Sequence, residues 1–148
     1  MSKNDEKVVT IKRFDKSIPL PEHKTKEAAA FDLYARIDVE IPPKKFKYIP
    51  LNVAVQTPPG FFLLLVSRSS THKKGIWMAN GVGIGDPDFS GDNDEYSAVY
   101  YNFTDKPVYI EKGERIAQGL IVKREVVQWQ EVDQMQNKTR GGWGTTGK

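Results

Sequence analysis

Apolar and β-branched residues come in this chain as short runs, broken every few residues by proline, glycine or lysine-rich turns. Residues 7–14 (KVVTIKRF) alternate, with Val8, Thr10 and Lys12 on one side and Val9, Ile11 and Arg13 on the other. A period of two marks a strand, because successive side chains leave opposite faces of the backbone. Further β-rich runs cover residues 31–35, 38–41, 47–49, 54–56 and 61–66, then 97–103, 108–110 and 118–127. Their spacing is that of all-β domains. Helical periodicity is nearly absent, and one turn around residues 69–74 is the single candidate. The pattern predicts an all-β sandwich or barrel with Greek-key connections, a jelly-roll-like fold.

At 148 residues the chain suits a single domain, 1–148, large enough to bury a core. No apolar run approaches the roughly 20 residues of a membrane helix, and the N-terminus lacks an apolar signal region. Cysteine is absent, which excludes disulfides and thiolate metal sites, and a net charge of +3 is spread along the chain. A polymeric nucleic-acid partner normally demands a denser basic stripe with stacking aromatics. The expectation is a cytoplasmic protein with neither a membrane nor a nucleic-acid polymer as partner.

Two stretches depart from the strand pattern. Residues 80–95 (NGVGIGDPDFSGDNDE) carry four glycines and five acidic residues. A carboxylate here could orient and deprotonate a water or ligate a metal through oxygen, whereas residues 92–95 read better as a solvated acidic turn. Residues 139–148 (TRGGWGTTGK) form a glycine-rich tail in which backbone can approach a ligand closely. Arg140, Thr145 and Thr146 offer donors to anionic oxygens, and Trp143 could stack on a planar base. The alternative is a flexible terminus with an incidental tryptophan.

Between these lie two smaller candidates. Residues 67–75 (SRSSTHKKG) place Arg68, Ser69 and Ser70 just after the apolar strand FFLLLV. Hydroxyls and N–H groups at a strand-to-helix transition make an anion site, or merely an ordinary helix cap with a surface arginine. Residues 101–123 read as two strands joined at Lys112-Gly113, with Arg115 able to pair a carboxylate and Gln118 able to contact a phosphate or water. His23 and His72 are the only histidines, so a His/Cys metal cluster is impossible. No GxSxG elbow supports a Ser–His–Asp hydrolase.

In identity and order these segments resemble the five motifs of the homotrimeric dUTPase family, whose fold is also described as a β-clip. AAAFDLYA (28–35), SRSS (67–70), NGVGIGDPDFSG (80–91), GERIAQ (113–118) and RGGWGTTG (140–147) are similar to motifs one to five in sequence. The resemblance implies a Mg²⁺-dependent enzyme that cuts dUTP to dUMP and pyrophosphate. Such an enzyme limits uracil in DNA and supplies dUMP for thymidylate synthesis.

Carried over position by position, the resemblance implies a catalytic pair, Asp86 orienting the attacking water and contacting the sugar 3′-hydroxyl, and Gln118 near that water. Asn80 and the backbone of Gly81, Val82, Gly83 and Ile84 would read the uracil edge, while Phe89 packs beneath the sugar. Arg68, Ser69, Ser70 and Gln118 would hold the phosphates. The Mg²⁺ would be held mainly by those phosphates, with Asp32 supporting it from outside. Residues 137–148 would be a mobile tail closing a neighbouring subunit's site, Trp143 stacking on uracil and Arg140, Thr145 and Thr146 closing over the β- and γ-phosphates.

Four positions depart from the family pattern. Gly85 stands where a β-branched residue or leucine usually precedes the catalytic Asp, and Phe89 stands where tyrosine is commonest. Trp143 replaces the usual phenylalanine, and Arg140 lies closer to its glycines than in many members. Two further readings share the scaffold: the related dCTP deaminase, which needs an additional acidic residue to serve the cytosine amino group, and a nucleotide sensor without catalysis. The DPDF hairpin with this tail speaks against the first, and the retention of Asp86, Gln118 and the tail speaks against the second.

Overall fold

In a computed structural model, residues 6–144 are described, and they form an all-β, jelly-roll-like domain of eleven strands. The strands are β1 (Thr10–Arg13), β2 (Phe31–Tyr34), β3 (Val39–Ile41), β4 (Phe46–Pro50), β5 (Val53–Gln56), β6 (Phe61–Ser67), β7 (Ile76–Met78), β8 (Gly83–Gly85), β9 (Ser97–Asn102), β10 (Val108–Ile110) and β11 (Arg115–Lys123). One 3₁₀ turn, Thr71–Lys74, stands where the single helical candidate was expected. Among the described residues no helix is long and apolar enough to cross a membrane.

All pairings are antiparallel, and the chain crosses over repeatedly rather than meandering. Strands β2, β11, β6 and β8 form one sheet in that order, and β4, β9 and β7 another. The pairs β1–β5 and β3–β10 complete the domain. Their inner faces share one core that includes Leu33, Ile41, Ile49, Leu63, Ile76, Tyr100, Ile110 and Ile116. The near-continuous apolar run FFLLLV is explained by its place: β6 is flanked by β11 on one side and β8 on the other. Leu63 and Leu65 turn inward, while Phe62, Leu64 and Val66 lie half-buried on the outer face.

Two strands were not legible in the sequence. β7 and β8 hold only three residues each, and β8 consists of GIG inside the glycine-rich stretch. Neither run has the length or β-propensity to be recognised locally; pairing to β9 and β6 makes them strands. The last strand is also displaced from expectation. It begins at Arg115 and ends at Lys123, so residues 124–127 leave the sheet and are exposed. β6, its partner, runs out at Phe61, opposite Lys123.

Two largely buried tyrosines make this core region sensitive to alkali. Tyr100 is fully buried, donates to the Ile116 carbonyl at 2.6 Å, and is pushed well above its ordinary range by burial. Burial and the charges of Asp86 and Asp94 push Tyr96 up to about 12. Because the folded state holds these protons more tightly, stability is fully present below the unfolded value of about 10 and falls as pH rises above it. Urea midpoints should therefore hold steady from about pH 8 to 9.5 and drop between about pH 10 and 12. Tyr100→Phe should flatten that drop.

Candidate active site

The acidic hairpin is built by two tight turns. Gly81 takes φ +75°, a conformation that favours glycine, and there the Asn80 side-chain amide donates to the Val82 carbonyl at 3.0 Å. Further on, the Phe89 N–H donates to the Asp86 carbonyl at 3.0 Å, with Pro87 in the second position, where its restrained φ suits a β-turn. That turn brings the Asp86 carboxylate and the Phe89 ring onto one cavity of about 400 Å³. Asn80, Gly83 and Ile84 line it from the hairpin, and Leu65, Glu95, Tyr96, Ser97 and Ala98 from the neighbouring strands. The cavity therefore combines apolar walls, backbone of β8 and one exposed carboxylate.

A second cluster forms where β2, β6 and β11 meet. Asp32, only 8% exposed, lies between two guanidiniums: Arg68 Nε at 3.2 Å from one oxygen and Arg115 Nη1 at 3.3 Å from the other. Arg68 also donates through Nη1 to the Arg115 carbonyl at 3.1 Å. One carboxylate against two arginines leaves a net positive charge, which suits an anion. Gln118 faces Asp32 across the β2–β11 pairing and donates to the Ser67 carbonyl at 3.1 Å. Ser70 precedes the 3₁₀ turn but makes no side-chain cap hydrogen bond. The ordinary capping alternative for that serine thus fails, and its hydroxyl remains for another partner.

The two clusters do not merge within one chain. Arg68, Ser69, Ser70 and Gln118 line no part of the hairpin cavity. Residues 125–141 are exposed, and Trp143 is fully exposed. Thr145 and Thr146 lie outside the described residues.

The acidic turn after the hairpin is less solvated than its composition suggests. Glu95 is held by Arg36 in a bidentate pair, at 2.5 Å from Nε and 2.9 Å from Nη2, and accepts from the Asn52 N–H. Asp94 accepts from the Gly91 N–H at 2.7 Å, and exposed Asp92 pairs with Lys12. These contacts brace the loop that carries the polypeptide from Phe89 into β9. Sequence reasoning placed none of Leu65, Ser97 and Ala98 in the cavity, and it also missed Tyr96. The signal for it was indirect: the missing side chain at Gly85, directly beside the phenol.

Among the described residues no group of three His, Cys, Asp or Glu side chains could hold a metal ion. Asp32 has both oxygens engaged by arginines. Since Mg²⁺ requires several oxygen ligands, any such ion at this site would need most of them from a bound ligand.

A family model described as dUTPase matches residues 16–147. The chain is similar to the deoxyuridine 5′-triphosphate nucleotidohydrolase of Dictyoglomus turgidum, at 38% identity over 146 residues, covering 94% of this chain and 97% of that one. It is also similar to the dUTPase of Streptococcus mutans, with a TM-score of 0.73 and 29% identity over 80% of this chain and 98% of that structure. The dUTPase of Staphylococcus bacteriophage 80alpha superposes with a TM-score of 0.82 at 24% identity, covering 95% of this chain and 98% of that one, a likeness of fold.

Proposed function

The chain belongs to the dUTPase family and hydrolyses dUTP to dUMP and pyrophosphate, and from that premise we propose how its residues divide the work. The hairpin cavity receives the deoxyuridine. Asn80 and the backbone of Gly81–Ile84 meet the uracil edge, and Phe89 packs against the sugar. Asp86 accepts a proton from the water that attacks the α-phosphorus. The new bond joins water oxygen to that phosphorus, and the bond to the pyrophosphate oxygen breaks. The carrying observation is that the Pro87 turn sets the Asp86 carboxylate and the Phe89 ring in the same cavity.

Arg68, Ser69, Ser70 and Gln118 hold the phosphates, drawn by the net positive charge around Asp32. A Mg²⁺ ion would be held mainly by the substrate's phosphates, beside Asp32 and its arginines, and would supply charge neutralisation. The chain's own contribution is position and preorganised charge, which suits phosphoryl transfer.

The enzyme works as a homotrimer whose sites are shared between copies. Three observations support this. The phosphate cluster and the nucleoside cavity are separate within one chain. The outer face of β6 leaves Phe62 and Leu64 half-buried beside Ile84, which is 61% exposed. The tail leaves Val126, Val127, Trp129, Val132, Met135 and Trp143 uncovered. A neighbouring copy that joins the two clusters would also bury this apolar surface. Residues 137–148 would then close the neighbour's site, with Arg140 and Trp143 reaching the substrate.

The test is to incubate the protein with Mg²⁺ and dUTP, dCTP, dTTP or UTP, resolve the products, and measure the mass in solution. We expect dUMP and pyrophosphate from dUTP alone, and three times the chain mass. A uracil nucleotide formed from dCTP would assign the deaminase reaction instead. Full activity from a monomer would overturn the shared site.

A further inference from the structure

Tyr96 occupies a position in the nucleoside cavity that none of the assigned roles requires. It is 7% exposed and meets Phe89 edge to face, ring centroids 5.1 Å apart. Its backbone is pinned on both sides: the N–H donates to the Val53 carbonyl at 2.9 Å, and the carbonyl accepts from the Leu51 N–H at 2.8 Å. These contacts fix the backbone from which the ring enters the cavity. Its hydroxyl has no hydrogen-bond partner among the described residues, yet its oxygen is not sealed in the protein, so it opens onto the cavity that the ring lines. A hydroxyl with no protein partner that reaches a cavity is free to bond water or a ligand there.

Gly85 explains how the phenol fits. It is a strand residue without positive φ, so the backbone there does not demand glycine. A Cβ at Gly85 would stand 2.8 Å from Cε1 and Cζ of Tyr96, and closer still to its hydroxyl oxygen. The side chain missing at 85 is thus the space that the phenol uses. With phenylalanine at 89, the cavity has no hydroxyl from the ring beneath the sugar; Tyr96 brings one in from the adjacent wall.

We propose that Tyr96 binds substrate, its hydroxyl donating to the 3′-hydroxyl oxygen of the deoxyribose in the space opened by Gly85. This rests on the hairpin cavity being the nucleoside site. A hydroxyl carries one donor and two acceptor positions. The 3′-hydroxyl can therefore give its proton to Asp86 while accepting one from Tyr96. With its proton held to about pH 12, the phenol stays a donor throughout the neutral range. Tyr96 and Gly85 together would then help distinguish a nucleotide that has a 3′-hydroxyl from one that lacks it.

The experiment compares dUTP with 2′,3′-dideoxyuridine triphosphate, the first by its KM and the second by its inhibition constant against dUTP hydrolysis. In Tyr96→Phe the ring and its contact with Phe89 remain. We expect KM for dUTP to rise about three- to tenfold, the worth of one hydrogen bond, with the dideoxy inhibition constant unchanged. Gly85→Ala, which forces the phenol aside, should erode the same preference. Thermal melts of both variants confirm that they fold. If Tyr96→Phe weakens both nucleotides equally, or neither, the contact with the 3′-hydroxyl is overturned. An absence of dUTP turnover in the unmodified protein would instead remove the underlying functional assignment, which separates the two failures.

Discussion

Replacing Asp86 by Asn should lower kcat by about 10²–10⁴-fold, the usual contribution of a general base, while the protein still binds dUTP. The substitution keeps the size of the side chain and its ability to contact a sugar hydroxyl, but it removes the acceptor for the water's proton. Asp86 is exposed and its side chain enters no hydrogen bond or ion pair among the described residues, so the fold should not suffer. Product chromatography with dUTP measures the first effect, and calorimetric titration with a non-hydrolysable imido analogue measures the second. Turnover within tenfold of the unmodified enzyme would show that another group activates the water.

Removing residues 137–148 should reduce kcat/KM by about 10²–10⁴-fold without lowering the melting temperature by more than about 2 °C. Stacking of an aromatic on a base is worth about 1–3 kcal/mol, and a charge-assisted hydrogen bond about 1.5–3 kcal/mol. With roughly 1.4 kcal/mol per tenfold, Trp143 and Arg140 together account for that range. Stability is spared because residues 125–141 are exposed and Trp143 lies wholly outside the core. A mixing experiment tests whether the tail acts on a neighbour. Truncated chains retain Asp86, and Asp86→Asn chains retain the tail. Co-refolding the two inactive proteins should restore a measurable fraction of activity. If it restores none, the tail closes its own subunit's site.

The alternation of residues 7–14 and the FFLLLV run were enough to place β1 and β6, because each carries its own pattern of burial in its side chains. The order of the five motifs carried the family, since polar and glycine-rich chemistry recurs there at recognisable spacing. Arg115 was legible as a partner for a carboxylate, but which carboxylate depended on β2 lying beside β11. Strands β7 and β8 could not be read, because three-residue segments become strands only through the neighbours that accept their hydrogen bonds. Glu95 looked solvated until the fold brought Arg36 to it from a position 59 residues away.

The sequence by itself determined the class of fold, the family and the types of side chain available for catalysis, all of which are encoded in local pattern and motif order. Only the tertiary structure decided which groups share a cavity and which do not. It separated the Asp32–arginine cluster from the hairpin cavity, and it set Tyr96 against the empty side of Gly85. The physical reason is that such relations are contacts between segments remote in sequence. They depend on strand pairing and on the volume left after packing, neither of which any single stretch of residues specifies.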